Sequence, residues 1–522
     1  MACSESKKIE DPKPAAIEPG AAGDLSRRVL SAGTWTMAMR VVVSVAGTAR
    51  VMVLARLLAP EDFGLISIAL LVVGFLDSMA QTGFATALVQ RKGDIRPYLD
   101  TAWTVQLVRG VVLAGAVALA APVVSRFFDS PGAESIVRTM ALVVLFKGLT
   151  NSAVVYFQRD LEFRKQSVLQ IVHTMSDVAV SVGFGIALRD VRALVYGAVA
   201  ASIALVVVSF IVHPYRPRPR IDFGKARELY SYGKWVFGTN VLKYFILNGD
   251  NAFVGRMLGT VALGHYQMAY RISQMPATEV GDLISRIMFP AWSKMQEDVD
   301  RLRAAYLRTV QVSTLVTLPL AGGVLVLADA FTRVVLTEKW LEIVPALQVL
   351  AVLGALKTIG AFAPLFQALG RPRFVTIVSA VRLAAIAALI YPLTQTMGIV
   401  GTGWAVLIGT AVTIPWSLTE AMKAVRGSLM QFVEAVWIAI AATGVMMAIL
   451  LVALQLTASS NIVWAGGLIG LEGAAESVAG LVWLGGLATV GCLAYGSACL
   501  ALDTMTGSKA LTSLKRLAGI SH

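Results

Sequence analysis

Apolar positions in this chain fall into long unbroken runs, not into alternation. Runs of 18 or more apolar residues recur from about residue 29 to residue 503, divided by short polar segments. A helix rising 1.5 Å per residue needs roughly 20 such residues to cross the roughly 30 Å of a bilayer's hydrocarbon. Ala, Leu and Gly dominate the runs and a period of two is absent, which argues against the strands of a membrane barrel. The pattern predicts fourteen helices, at about 31–55, 63–89, 100–125, 134–157, 167–188, 192–213, 233–255, 264–290, 305–328, 341–369, 374–395, 398–420, 432–456 and 480–502. Arg109 interrupts the third and Pro276 the eighth. The expected class is an all-α integral membrane protein.

Composition agrees. Of 522 residues, 57% are hydrophobic and 15% charged, against about 25% charged in soluble domains. Mean hydropathy is +0.71. A soluble multidomain enzyme is excluded. The opening MACSESKKIEDPKPAAIEPGAAGDLS has no apolar core, so it reads as a disordered tail and not as a signal peptide. Cys3, Cys492 and Cys499 build no disulfide framework; the last two lie two turns apart on one predicted helix, too far to bridge.

Charge sets an orientation. With the amino terminus in the cytoplasm, the inner segments receive 27 Lys and Arg and the outer ones 7. The positive-inside rule expects this bias, and a miscounted span would invert every later loop and erase it. Both termini are therefore expected in the cytoplasm. These loops account for most of the net charge of +13, so no nucleic-acid partner is inferred.

The basic stretch YRPRPRIDFGKARELYSYGK, Tyr215 to Lys234, divides the chain. Its part from Ile221 to Tyr232 fits either an interfacial helix or a plain basic loop. The two sides look duplicated. LARLLAPEDFGLI from Leu54 parallels VGRMLGTVALGHY from Val254; Arg56 matches Arg256, Gly64 matches Gly264, and Gly33 and Trp35 match Gly233 and Trp235, all at an offset of 200 residues. The expected organisation is a cytoplasmic tail (1–28), a six-helix lobe (29–215), a basic linker (216–232), a second six-helix lobe (233–430), two extra helices (431–505) and a second tail (506–522). An even number of spans per copy gives parallel topology, the transporter pattern in which cargo binds between two lobes.

Two stretches carry a family likeness. ARLLAPEDFGLISIALLVVGFLDSMAQTGFATALVQRK, Ala55 to Lys92, and SYGKWVFGTNVLKYFILNGDNAFVGRMLGTVALGHYQMAYRISQMPATEV, Ser231 to Val280, resemble polysaccharide-export flippases of the Wzx type. The branch is that of the colanic-acid exporters, within the multidrug/oligosaccharidyl-lipid/polysaccharide exporter superfamily. The resemblance implies a V-shaped bundle of two lobes, alternating access and a bacterial inner-membrane location. It implies a cargo of undecaprenyl-pyrophosphate-linked oligosaccharide, with membrane lipids and a polysaccharide polymerase or co-polymerase as further partners. The rival within the superfamily is a multidrug or other small-molecule exporter, which calls for an acidic cavity.

The residues point the other way. At least eleven of the 45 Lys and Arg sit inside predicted spans, where a charge costs roughly 2.5–3.5 kcal/mol on insertion scales. Cations kept at that cost suit a wet cavity for an anionic cargo. Arg40 and Arg50 on the first span can border one cavity, and an Arg fork suits a pyrophosphate; snorkelling to headgroups is the plainer reading. On the seventh span, Asn240, Lys243 and Asn248 suit sugars and phosphate. Asp250, about 10 Å along the axis from Lys243, needs another partner. On the eighth, Tyr270 and Arg271 are cargo candidates, Pro276 a hinge, and Glu279 an ion-coupling or structural acid. Asp77 has Arg40 or Arg109 as prospective partners. His173 and Asp177, one turn apart, fit a proton relay or a satisfied buried pair. Arg109, Arg138, Lys147, Arg286, Lys357 and Arg382, with Lys234 at a span edge, complete the cations within spans.

There is no G-x-x-x-x-G-K-[ST] run and no H-E-x-x-H, and the four His do not cluster. No long outer loop offers room for a catalytic domain, which disfavours a membrane polymerase or ligase. The expectation is a secondary transporter that uses no cofactor and no metal and is not an enzyme.

Overall fold

The computed structural model describes residues 39, 42–79, 88, 94–160, 162–360, 362–459 and 474–506; of some helical residues, 225–243 among them, the backbone alone is described. All described regular structure is helical. We number the helices α1 (42–57), α2 (Pro60–Met79), α3 (Arg96–Phe127), α4 (Gly132–Leu149), α5 (Phe163–Leu188) and α6 (Arg192–Val212). The run Phe223–Met295 turns at Gly259 and supplies α7 and α8. α9 (Val299–Phe331) and α10 (Val344–Thr358) follow. Pro372–Ala411 turns at Gly398 into α11 and α12; α13 (Leu429–Ser459) and α14 (Ala474–Thr506) complete the chain. These helices correspond in order to the fourteen predicted.

Nine described helices are long and apolar enough to cross a membrane, or ten when the bent pair at α4 counts as one span. The 53-residue run Pro372–Ala424 passes as one of them, yet a rod of that length would measure about 80 Å. Gly398 resolves this, because its φ of 59° and ψ of −137° turn the chain into a second crossing. Gly259 does the same between α7 and α8 with φ 84°; only glycine takes such angles without strain. The helix stays continuous through Pro276. Outward-facing side chains are apolar: Leu119, Ile211 and Val482 are 80%, 72% and 69% exposed, as lipid-facing positions should be.

One helix in each half is broken. α4 ends at Leu149 and the chain continues as Ser152–Arg159 after a 67° bend. α10 ends at Thr358 and continues as Phe362–Ala368. In both, a lysine (Lys147, Lys357) occupies the last turn before the break, where a cation meets the negative end of the helix dipole. A Phe-Gln pair follows each break, Phe157–Gln158 and Phe366–Gln367. Asn151 holds the first break. Its Oδ1 accepts from Ala153 N at 3.0 Å, and its Nδ2 donates to Tyr215 O at 2.9 Å.

The halves meet reciprocally. A Cβ added to Gly64 would collide with the Thr260 carbonyl oxygen, and one added to Gly264 would collide with the Pro60 carbonyl oxygen. Thr260 stands 200 residues after Pro60, as Gly264 does after Gly64. Two copies of one unit make such an exchange around a local twofold. Around this crossing Arg56 donates to Val335 O at 2.8 Å and to Val334 O. Lys339 donates to Leu58 O at 2.6 Å, and Trp340 Nε1 donates to Ala55 O at 2.9 Å. Arg256, the partner of Arg56 in the repeat, sits 5.8 Å from the centre of the Phe127 ring. Every one of these residues lies in or beside a loop that the charge count assigns to the outside.

Core packing follows. At this end a single cluster takes Leu54 and Leu58 from one half and Tyr266, Trp340 and Leu350 from the other. At the opposite end the clusters are separate. Ile284, Trp292, Tyr306 and Phe366 pack within the second half, and Ile95, Leu99 and Ala153 within the first. Among the described residues, the halves are joined at one end and part at the other.

The linker is strapped to the first half. Residues 213–222 run extended along the start of α3. Tyr215 OH donates to Asp100 Oδ1 at 2.7 Å, Arg218 N to the same oxygen at 2.8 Å, and Arg220 N to Thr104 Oγ1 at 3.0 Å. His213 stacks on Tyr156 with ring centres 5.7 Å apart, and its Nδ1 accepts from Tyr215 N at 3.1 Å. Of the two readings of Ile221 to Tyr232, neither a free loop nor a separate helix is seen: a helix begins at Phe223 and runs on into α7.

Candidate functional site

The membrane-embedded charges gather where the halves part. On α1, Ser44 Oγ donates to Glu279 Oε1 at 3.4 Å, and Thr48 contacts Met275 Sδ at 3.6 Å, so one face of α1 runs along α8. Just beyond them on the two helices stand Arg50 and Arg271, within electrostatic range of each other. Two like charges held together without water would repel; each needs an anion. Arg50 has one, an ion pair with Asp177 on α5, both side chains less than a fifth exposed. Arg271 makes no hydrogen bond or ion pair among the described residues. It is exposed although it lies in mid-helix.

The remaining candidates divide. Asp77 pairs with Arg109, one of its two prospective partners. Asp177 pairs with Arg50 and makes no hydrogen bond with His173, which instead has Lys147 and Arg50 as its charged neighbours. Asn248 turns inward on its own helix, donating to Tyr244 O at 3.2 Å. Tyr244 in turn reaches across to Leu71 O on α2. Arg138 pairs with Glu134 one turn before it. Arg40 and the side chains of Asn240, Lys243 and Pro276 lie outside the described residues.

A cavity of about 810 Å³ opens within the second half, among α7, α8, α10, α11 and α12. Asp250 and Tyr270 are on its wall, joined by Lys357, Arg382 and Gln274. Tyr266 OH donates to Asp250 Oδ2 and Asn251 N to Oδ1, both at 2.9 Å. Lys357 Nζ donates to Gln274 Oε1 at 3.0 Å and to Tyr270 OH at 3.2 Å. Gln274 is fixed by its amide, which donates to Leu350 O at 2.7 Å. Lys357 and Arg382 were visible in the sequence only as two of many cations within spans; Gln274 carried no signal, since one amide on a long helix is unremarkable. Among the described residues no three His, Cys, Asp or Glu converge on a metal-sized site.

Comparison with known proteins places this architecture. The profile of the polysaccharide biosynthesis protein family matches residues 53–345. The chain belongs to that family. It is 26% identical over 341 residues to the lipopolysaccharide biosynthesis protein WzxC of Escherichia coli, covering 64% of this chain and 69% of that one. It is 26% identical over 329 residues to the succinoglycan biosynthesis transport protein ExoT of Rhizobium meliloti, covering 61% and 65%. Among solved structures, the lipid II flippase MurJ in an inward closed conformation superposes with a TM-score of 0.68 at 12% identity, over 91% of this chain and 99% of that one. An inward-facing multidrug MATE transporter gives 0.57 at 13% identity, over 74% and 96%. These likenesses establish the fold of a multi-pass membrane transporter acting in polysaccharide biosynthesis.

Proposed function

We propose that this protein flips undecaprenyl-pyrophosphate-linked oligosaccharide repeat units across the bacterial inner membrane, for exopolysaccharide, capsule or O-antigen synthesis. The observation that carries the reading is Arg271, a cation without a partner among the described residues, set beside Arg50 where the two halves part. A diphosphate brings several acceptor oxygens and the negative charge that Arg271 lacks. The polyprenyl tail remains in lipid while the headgroup enters from the end at which the core clusters are separate. Closing that end and opening the crossing at Gly64 and Gly264 would present the headgroup to the other side, the alternating access expected of such bundles. The names of WzxC, ExoT and the lipid II flippase support the cargo class.

A cationic drug suits the site poorly. The acids of the first half that could hold one, Asp77 and Asp177, are already paired with Arg109 and Arg50.

The test is export in cells. Arg271→Ala should lower export at least about tenfold, the worth of one lost charge-assisted contact. Lipid-linked repeat units should accumulate on the cytoplasmic side at normal membrane abundance of the protein, and Arg271→Lys should restore part of the export. Wild-type export by both Arg271→Ala and Arg50→Ala would remove the reading.

A further inference from the structure

The cavity of the second half has its own chemistry. It is separate from the Arg50–Arg271 pair, since neither arginine is on its wall. Its volume of about 810 Å³ lies in the usual range of small-molecule sites. A smaller chamber of about 180 Å³ adjoins it, and the two share Lys357, Ala363, Arg382 and Thr410. The two cations therefore stand at the neck between the chambers. They lie within electrostatic range of each other.

Their present partners do not neutralise them. Lys357 donates to an amide oxygen and a phenol, both uncharged. Arg382 makes no hydrogen bond or ion pair among the described residues. Lys357 is exposed, yet five helices surround it, so what it meets is the cavity. The one acid of the described lining is Asp250, both of whose oxygens already accept hydrogen bonds. Two cations against one carboxylate leave a single positive charge in a site walled by helices. Such a charge is costly unless an anion completes it. A singly charged oxyanion matches the count.

We infer that the second half holds a distinct subsite, at Lys357 and Arg382, for the carboxylate of an acidic sugar residue in the cargo's glycan. Phe245, Phe253 and Tyr270 on the same wall offer apolar faces to the sugar ring, and Gln274 and Tyr270 place Lys357. The inference rests on the cargo reading above, and it adds that the protein prefers acidic repeat units over neutral ones.

The test uses the full-length protein in lipid nanodiscs and two synthetic probes. One is a farnesyl-diphosphate-linked disaccharide ending in glucuronate; the other ends in glucose. Wild type should bind the glucuronate probe about tenfold more tightly, as one charge-assisted contact allows. Lys357→Gln and Arg382→Gln should each bring the ratio of the two affinities close to one. Arg382→Lys keeps the charge and should keep a preference, which separates loss of the site from loss of folding. Arg271→Ala should weaken both probes alike and leave the ratio standing. Equal binding of both probes by wild type, or a preference that survives the double substitution, overturns the subsite and leaves the seam untouched. Binding of neither probe overturns the subsite together with the cargo reading.

Discussion

Gly64 and Gly264 each press against the helix that carries the other, Gly64 on Thr260 O and Gly264 on Pro60 O. The obstacle in both cases is a backbone carbonyl, which cannot swing aside as a side chain could. One methyl group on either residue must therefore spread the crossing.

Gly64→Ala and Gly264→Ala should each cost about 1–3 kcal/mol through overpacking. Both should lower the apparent melting temperature of the detergent-solubilised protein in fluorescence-detected size exclusion. Because both strain the same crossing, the double variant should lose less than the two single losses added. Melting unchanged in both single variants would show that the helices cross with room to spare.

The Arg50–Asp177 pair links α1 to α5 inside the membrane body. Removing one partner leaves a lone charge there, at about 3–5 kcal/mol for a buried pair. Asp177→Ala should therefore reduce membrane abundance and melting temperature more than Arg50→Met combined with Asp177→Leu. The reverse order would mean that water reaches the pair freely.

At the joined end Arg56 bonds the carbonyls of Val334 and Val335, and Ala55 is fully buried beneath Trp340. In cells carrying Ala55→Cys, a membrane-impermeant maleimide added outside should label slowly. Adding Arg56→Ala frees both carbonyls to seek water and should accelerate labelling severalfold. Equal rates in the two backgrounds would show that Arg56 does not hold this end shut.

The strap at His213 and Tyr215 predicts a pH window. Burial, with the charge of Lys165 behind it, holds His213 below its ordinary range. The folded strap thus binds fewer protons than the unfolded one. Its stability is present above the ordinary histidine value of about 6.5 and is lost as pH falls from there through the lower folded value. Burial and then the hydrogen bond to Asp100 push the Tyr215 phenol up to about 12, so its contribution is lost only as pH rises past about 10. Amide exchange of residues 213–222, corrected for intrinsic rates, should accelerate between pH 7 and pH 5.5. Tyr215→Phe, which removes a hydrogen bond worth about 1 kcal/mol, should accelerate it at pH 7. A flat response to both would mean the strap is held elsewhere.

Much of the architecture was legible without coordinates. Spans announce themselves because a bilayer admits only long apolar helices. The offset of 200 residues between Arg56 and Arg256, and between Gly64 and Gly264, was visible in the chain, and Gly64 and Gly264 meet Thr260 and Pro60 at that same offset. Asp77, an isolated acid in a span, had Arg40 or Arg109 as prospective partners, since each charge in a span needs one. The break before Phe157, its counterpart before Phe366, and the helix from Phe223 running on into α7 were not legible, because no local signal distinguishes a bent span from a straight one.

What belongs to the sequence, then, is class, span order and the inventory of charges within the membrane. Which charges neutralise each other was decided only by the fold. Asp177 looked toward His173, one turn away, and found Arg50 on another helix. Arg382 looked like one cation among many and came to stand at the neck of a cavity. Hydropathy is a property of each stretch and can be read along the chain. Pairing depends on which helix lies beside which, and that follows from packing between segments hundreds of residues apart, at crossings as close as Gly64 on Thr260.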